Sequence, residues 1–273
     1  MESSRYSLVK NVFVDSIDVD DYINLGSSIK AYDQLLSSIE KELKMILLFG
    51  RPGTGKSIIL NRLYHNHKYQ KDLHYFATPI TNQKEFLSRL FKIITKNDLP
   101  QNTQVNFSIL VDYCRSIRDE REIIILLDEA QMYSKDTMEM IRLLADTRTV
   151  KFVVALHKTE NENEDMIAKE HFQSRIWEVI ELENGSKEDV KTYIHKKLLK
   201  KNFFDLANMI KGRHISLIYR LTKGNYREIN KLLFTIFELY EHYDMHDRSK
   251  INYKKFSTKF IEMAAIKLGY IDV

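Results

Sequence analysis

The chain has 273 residues and a formal net charge of +4, and its 44% hydrophobic content is ordinary for a globular protein of one or two domains. Three prolines and eight glycines are few breakers, which argues against an all-β fold. The single cysteine, Cys114, excludes a disulfide within the chain, and its helical pattern predicts a small buried residue. Neither a signal peptide nor an apolar run near the ~20 residues of a membrane span is visible, so we expect a cytoplasmic protein.

The hydrophobic pattern divides the chain into an arm, an α/β domain and a helical domain. Residues 1–26 carry no strong period and are predicted to form an N-terminal arm. Over residues 27–184, helical segments alternate with short apolar runs, which indicates an α/β nucleotide-binding domain with a five-stranded parallel sheet between helices. Strands are predicted at 45–49, 73–78, 122–127, 151–156 and 177–182. Helices are predicted at 27–43, 57–69, 83–95, 107–118 and 134–146, and a loop or short helix at 161–170.

After Asn184 the pattern contains helices alone, so residues 185–273 are predicted to be a helical lid domain. Its helices are predicted at 187–201, 204–211, 215–222, 226–243 and 253–268. Segment 187–231 holds about twelve Lys and Arg against about four Asp and Glu. This excess suits DNA, and a solvated helical face is an equally open interpretation.

A phosphate-binding motif, G-x-x-x-x-G-K-[ST], lies between the first predicted strand and the helix that follows it. Its glycines let phosphate oxygens approach successive backbone N–H groups at a helix N-terminus. Lys56 can reach the β- and γ-phosphates of ATP, and Ser57 can offer its hydroxyl to Mg²⁺. The predicted nucleotide-binding residues are Gly50, Arg51, Pro52, Gly53, Thr54, Gly55, Lys56, Ser57 and Ile58.

Two carboxylates, Asp128 and Glu129, end the most apolar predicted strand. Ligands of open α/β sheets bind at the carboxyl ends of the strands, so both side chains are expected near the phosphate loop. Asp128 suits Mg²⁺, and Glu129 suits polarising a water that attacks ATP. Capping of the next helix is the alternative interpretation of this pair.

The phosphate loop followed by I-I-I-L-L-D-E-A-Q (residues 123–131) resembles the AAA+ class of P-loop ATPases. Within that class, D-E-A-Q is similar to the group that includes the secretion ATPase ExeA, the transposition ATPase TniB and the origin-binding Orc1/Cdc6 proteins. The resemblance covers about residues 20–240. It implies ATP and Mg²⁺ as cofactors and self-association through the ATP interface.

Further site residues are implied by this resemblance alone. His157 stands at the end of the fourth strand, where relatives carry the sensor 1 residue. Arg175, just before the fifth strand, corresponds to the arginine finger that reaches ATP on a neighbouring subunit. Gly224-Asn225-Tyr226-Arg227 stands where relatives have G-D-x-R, so Arg227 is the sensor 2 candidate. Residues 22–26 are expected near the adenine.

Three functions remain open at this stage. The first is a DNA-associated ATPase of the transposition, replication or recombination type, which the basic lid and the resemblance favour. The second is an ATPase docked, through a protein partner, on a membrane secretion or DNA-uptake assembly. The third is an ATP-gated binding module with negligible turnover, against which Glu129 and Arg175 argue. Gln131 is a candidate for positioning the attacking water or for contacting a partner.

Overall fold

The computed structural model of the chain describes residues 4–98, 106–157 and 175–271. Predicted segment 161–170 lies outside the described residues. The five strands are β1 (Met45–Gly50), β2 (Leu73–Phe76), β3 (Ile123–Leu127), β4 (Val150–His157) and β5 (Ile176–Leu182). The helices are α1 (Arg5–Asn11), α2 (Gly26–Glu40), α3 (Lys56–His67), α4 (Gln83–Thr95), α5 (Phe107–Ser116), α6 (Lys135–Asp146), α7 (Lys187–Lys200), α8 (Phe204–Met209), α9 (Gly212–Thr222), α10 (Tyr226–His246) and α11 (Thr258–Lys267).

The strands form one parallel sheet in the order β2-β3-β4-β1-β5, which confirms the predicted fold class. All five residues of β3 are buried, as expected for a continuous apolar run in a sheet that is covered on both faces. Because every strand runs the same way, the carboxyl ends of β1, β3 and β4 meet at one edge. That edge holds the phosphate loop and the two carboxylates.

The described chain divides into two compact units. The strand unit comprises Ser28–Arg51 and Lys56–Leu182 and contains the sheet. The helical unit comprises Met1–Ser27, Pro52–Gly55 and Glu183–Val273. Cys114 of the strand unit is buried, as predicted, and burial raises the pKa of its thiol to about 11. None of the helices in the described ranges is both long and apolar enough to cross a bilayer.

Within the segment predicted as an N-terminal arm, residues Arg5–Asn11 form helix α1, which belongs to the helical unit. Tyr6 stacks on Tyr240 of α10 with ring centroids 4.9 Å apart, and Phe13 stacks on Phe237 at 5.7 Å. All four side chains are buried in the core of the helical unit. A helix this short is only marginally stable without tertiary contacts. It also contains too few turns to give the arm a clear helical period in its apolar residues.

The last helix begins later than predicted, at Thr258 rather than Tyr253. The Ser257 hydroxyl accepts a hydrogen bond from the Phe260 amide and caps the helix at this point. Upstream, the Asn252 side chain accepts from the Lys254 amide and holds the preceding residues in a turn. Local side-chain hydrogen bonds therefore override the apolar period over residues 253–257.

Candidate nucleotide site

The phosphate loop connects β1, which ends at Gly50, to α3, which begins at Lys56. Gly53 and Gly55 have φ angles of 81° and 98°, which side-chain-bearing residues rarely adopt. Within the helical unit, a Cβ on Gly53 would lie 2.4 Å from the Asn225 side-chain oxygen. Glycine is therefore required at position 53 by both the backbone angle and the close approach of α10.

Lys56 places a buried ammonium inside the loop. Lys56 is 5% exposed, and its Nζ donates hydrogen bonds to the carbonyls of Gly50 (2.7 Å) and Arg51 (2.9 Å). A buried cation is costly to desolvate unless negative charge lies near it. The position of Lys56 Nζ therefore suits the binding of a phosphate oxygen. Its hydrogen bonds to the loop carbonyls hold the ammonium group in the loop.

Asp128 is buried next to Ser57 at the end of β3. Burial raises the pKa of its carboxyl, while hydrogen bonds from the Ser57 side chain and from the Glu129 amide (2.9 Å) oppose this. The second carboxylate oxygen accepts from the Tyr75 hydroxyl at 3.1 Å. A serine hydroxyl beside a carboxylate is the oxygen donor set that suits Mg²⁺ bound together with phosphates.

Tyr75 is a site residue that sequence reasoning missed. It lies on β2, where it stands opposite Leu126 in the register with β3. Its contact with Asp128 depends on β2 lying beside β3, which the order of elements along the chain does not determine. The sequence signal would have been a tyrosine, an aromatic residue with a polar hydroxyl, in a strand next to the one that ends in Asp128 and Glu129.

Glu129, Gln131 and His157 form a hydrogen-bonded ring. Gln131 Nε2 donates to Glu129 Oε2 at 2.8 Å and lies 3.3 Å from His157 Nδ1. His157 Nε2 lies 3.3 Å from the other Glu129 oxygen. These contacts are consistent with a neutral His157 that carries its proton on Nε2 and donates it toward Glu129. The register pairs His157 with Gly50, which brings the ring to the start of the phosphate loop.

Two features of this ring suggest a functional position. Glu129 adopts a left-handed conformation, with φ 50° and ψ 40°, which costs a side-chain-bearing residue about 1 kcal/mol or more. Gln131 Oε1 is a buried acceptor with no hydrogen-bond partner among the described residues. Gln131 Oε1 and the carboxylate of Glu129 are therefore suited to hold a water molecule between them.

Arg175 is not brought to the phosphate loop within the chain. It directly precedes β5, and its Nε lies 3.6 Å from Asp146 Oδ2 at the end of α6. Both residues therefore lie at the amino ends of strands in the strand unit, opposite the edge that carries Gly50. The predicted role of Arg175, contact with ATP of a neighbouring subunit, stays a prediction.

Arg227 lies in the first turn of α10, within the helical unit. Its Cβ would be 2.7 Å from a Cβ placed on Gly53, so its backbone adjoins the tip of the phosphate loop. Its Nε lies 3.4 Å from Asp15 Oδ2 in a half-exposed ion pair. The predicted sensor 2 role of Arg227 stays a prediction. Residues 22–26, predicted near adenine, include Gly26, whose amide donates to Asp189 Oδ1 at 3.1 Å.

Asn225 joins α10 to the phosphate loop. Its Oδ1 accepts from the amides of Arg227 (3.1 Å) and Glu228 (3.3 Å) and caps the helix, while Nδ2 donates to the Pro52 carbonyl at 2.7 Å. An aspartate, the residue of the related G-D-x-R motif, could cap the helix in the same way but could not donate to Pro52.

We expect Asn225→Asp to weaken ATP binding by roughly fivefold to tenfold without lowering the melting temperature. The variant keeps the cap but loses the hydrogen bonds that Nδ2 donates to the Pro52 carbonyl (2.7 Å) and to Asn184 Oδ1 (3.3 Å). The bond to Pro52 is worth about 1 kcal/mol, and the variant also adds negative charge beside the loop. Calorimetric titration with a nonhydrolysable ATP analogue measures the first effect, and thermal unfolding the second. Asn225→Ala, which loses both contacts, should also lower stability by about 1 kcal/mol. Unchanged affinity in Asn225→Asp would show that the Pro52 contact plays no part in binding.

Comparison with known proteins shows a domain match over part of the chain and a shared fold over most of it. Residues 39–162 match a protein family described as an AAA domain. A search of curated proteins finds no match. Among solved structures, Cdc6p from Pyrobaculum aerophilum is similar with a TM-score of 0.63 and 17% identity, over 94% of this chain and 70% of that one.

Two Aeropyrum pernix structures show the same likeness. The ORC2 protein, solved as ADPNP-ADP complexes, has a TM-score of 0.59 and 13% identity, over 94% of this chain and 71% of that one. The ORC1 protein, solved in complex with DNA, has a TM-score of 0.60 and 14% identity, over 95% of this chain and 69% of that one. The resemblance seen in the sequence is thereby confirmed at the level of the fold: residues 39–162 match an AAA domain, and the chain is similar in fold to these Cdc6 and ORC proteins.

Proposed function

We propose that this chain binds and hydrolyses ATP and acts as a nucleotide-driven switch or motor on DNA. The observation that carries the proposal is the meeting of three groups at one edge of the sheet. Lys56 lies inside the phosphate loop, Asp128 lies beside Ser57, and Glu129 lies in the ring with Gln131 and His157. Each group supplies one requirement of phosphoryl transfer: charge on the phosphates, a metal ligand and a base for water.

The proposed reaction transfers the γ-phosphoryl group of ATP to water. A bond forms between the water oxygen and the γ-phosphorus while the bond to the β–γ bridging oxygen breaks, which releases ADP and phosphate. The Glu129 carboxylate takes the proton of the water, and the unpartnered Gln131 Oε1 is placed to accept its other hydrogen. Mg²⁺, held by Ser57 and Asp128 when bound, would neutralise charge on the phosphates.

Arg175 completes the site from a second subunit in this proposal. Its distance from the phosphate loop within one chain supports a role in trans rather than in cis. An arginine supplied by a neighbour offsets the charge that develops during phosphoryl transfer. Turnover should therefore rise with protein concentration as the subunits associate.

DNA is the proposed partner for two reasons. The ORC1 relative was solved in complex with DNA, and segment 187–231 of this chain is strongly basic. Docking on a membrane assembly through a protein partner has no comparable observation in its favour. It remains the alternative that the following experiment separates.

The first experiment is ATP turnover by the purified protein with and without duplex DNA, with Lys56→Ala as the blank. We expect slow turnover alone and stimulation by DNA that disappears in the blank. Turnover that does not respond to DNA would overturn the DNA part of the proposal and favour a protein-docked ATPase. An absence of turnover under both conditions, with ATP still bound, would favour the ATP-gated binding module.

A further inference from the structure

Two segments of the helical unit contain several basic residues and no acidic residue. Residues 206–227 contain five Lys or Arg and no Asp or Glu, and the same is true of residues 248–261. Elsewhere in the chain, acidic and basic residues are closely interspersed, with 38 acidic against 42 basic residues overall. Two such segments would produce a strong positive electrostatic potential at the surface if the fold placed them together.

The fold does place them together, around a groove of about 470 Å³. One wall is the start of α9 with the residues before it, and the other is the turn before α11. The cationic lining residues are Lys211, Arg213, Lys254 and Lys255, and all four are exposed. The ion pairs found among the described residues involve other lysines and arginines, so these four charges are not neutralised by a described carboxylate.

The floor of the groove is formed by two buried aromatic rings. His214 is 1% exposed and packs on Phe256, with ring centroids 5.3 Å apart. The Lys211 amide lies 3.0 Å from His214 Nδ1, and Arg213 Nε lies 3.1 Å from Nε2. These contacts join the His214 ring to the two cationic residues of its wall.

Among the described residues, the lining of the groove contains four cationic residues and no carboxylate. A concave surface lined by charges of one sign concentrates their field, so this groove attracts anions more strongly than the same charges would on a flat surface.

We propose that this groove binds the phosphodiester backbone of nucleic acid. The site rests on the proposed DNA-associated function and names the surface that would perform it. Charges on both walls match a chain of phosphates that runs through the groove, and phosphate contacts from Lys and Arg position a protein on DNA without reading its sequence. An anionic membrane surface fits less well, because the four cations line a concave groove and not a flat face with exposed apolar residues.

The test compares two double variants of the full chain. Lys211→Ala with Lys254→Ala removes one cation from each wall of the groove. Lys187→Ala with Lys191→Ala removes the same charge from exposed positions of α7, so it controls for net charge. Fluorescence anisotropy of a labelled duplex of mixed sequence gives the affinity of each protein over a range of salt concentrations.

The groove variant is expected to lose affinity by roughly tenfold, and the slope of log affinity against log salt should fall by about 1.8, or about 0.9 per lost phosphate contact. The control should change affinity less than about twofold. Equal losses in the two variants would overturn the proposal, because they would show that only net charge matters. A loss of binding to phosphatidylserine vesicles, with DNA binding unchanged, would overturn it in favour of a membrane.

ATP turnover without DNA separates this proposal from the proposed function. The groove variant should keep the basal turnover of the unmodified protein, since none of its changed residues lies in the nucleotide site. If the protein proves inactive toward ATP but the groove variant still loses DNA affinity, the groove stands and the ATPase proposal fails. If turnover is normal but neither protein binds DNA, the groove proposal fails by itself.

Discussion

Replacing Glu129 by glutamine is expected to lower ATP turnover by about 10²–10⁴-fold while ATP affinity stays within about threefold. The glutamine amide cannot take a proton from water, but it leaves the phosphate loop and Asp128 unchanged. It also disturbs the ring, because its NH₂ group must face a donor on either Gln131 or His157. Single-turnover kinetics and titration with ATP measure the two quantities separately.

A glycine at position 129 provides a second variant, in which the backbone strain of this position is absent. Glu129 has a left-handed backbone conformation that glycine adopts without strain, so Glu129→Gly should not destabilise the fold through its backbone. Turnover should nonetheless fall as far as in Glu129→Gln. If either variant hydrolyses ATP at the normal rate, the base lies elsewhere in the site.

Replacing Lys56 by alanine should lower ATP affinity by at least about 30-fold, because truncating one partner of a buried charge pair costs about 2–5 kcal/mol. The ammonium is buried and donates to the Gly50 and Arg51 carbonyls, which fix its position in the strand unit. ATP turnover should fall because less ATP is bound. Titration with a fluorescent ATP analogue gives the affinity directly.

Lys30→Ala is the matched control for this variant. Lys30 is exposed on α2 in the same unit, so its loss changes the net charge equally without touching the loop. Its ATP affinity should equal that of the unmodified protein. Equal ATP affinity in Lys56→Ala and in the control would contradict the assignment of residues 50–57 as the phosphate site.

The local chemistry of the phosphate loop explains why it could be predicted from the sequence. Gly53 and Gly55 adopt positive φ angles, and Lys56 returns to carbonyls of its own loop, within six residues along the chain. The apolar run of β3 likewise fixes where Asp128 and Glu129 stand, because a continuous hydrophobic strand has to be buried. Such features depend on neighbours in sequence, and periodicity and motif spacing record them.

Contacts between distant segments could not be predicted in this way. The Tyr75 bond to Asp128 depends on β2 lying beside β3, and the His157 contact with Glu129 depends on β4 lying between β3 and β1. The hydrogen bond from Asn225 to Pro52 joins residues 173 positions apart. It gives a reason for asparagine at the position where the related G-D-x-R motif has aspartate. Neither helix α1 nor the basic groove has a local signal of comparable strength.

The sequence by itself therefore determined the fold class, the phosphate loop and the acidic strand end, because each is specified by residues close together along the chain. Only the tertiary structure decided which side chains support them and which positive charges meet across the groove. Sheet order and helix packing bring remote segments into contact, and the physical reason is that burial of apolar faces, not any local pattern, selects those partners.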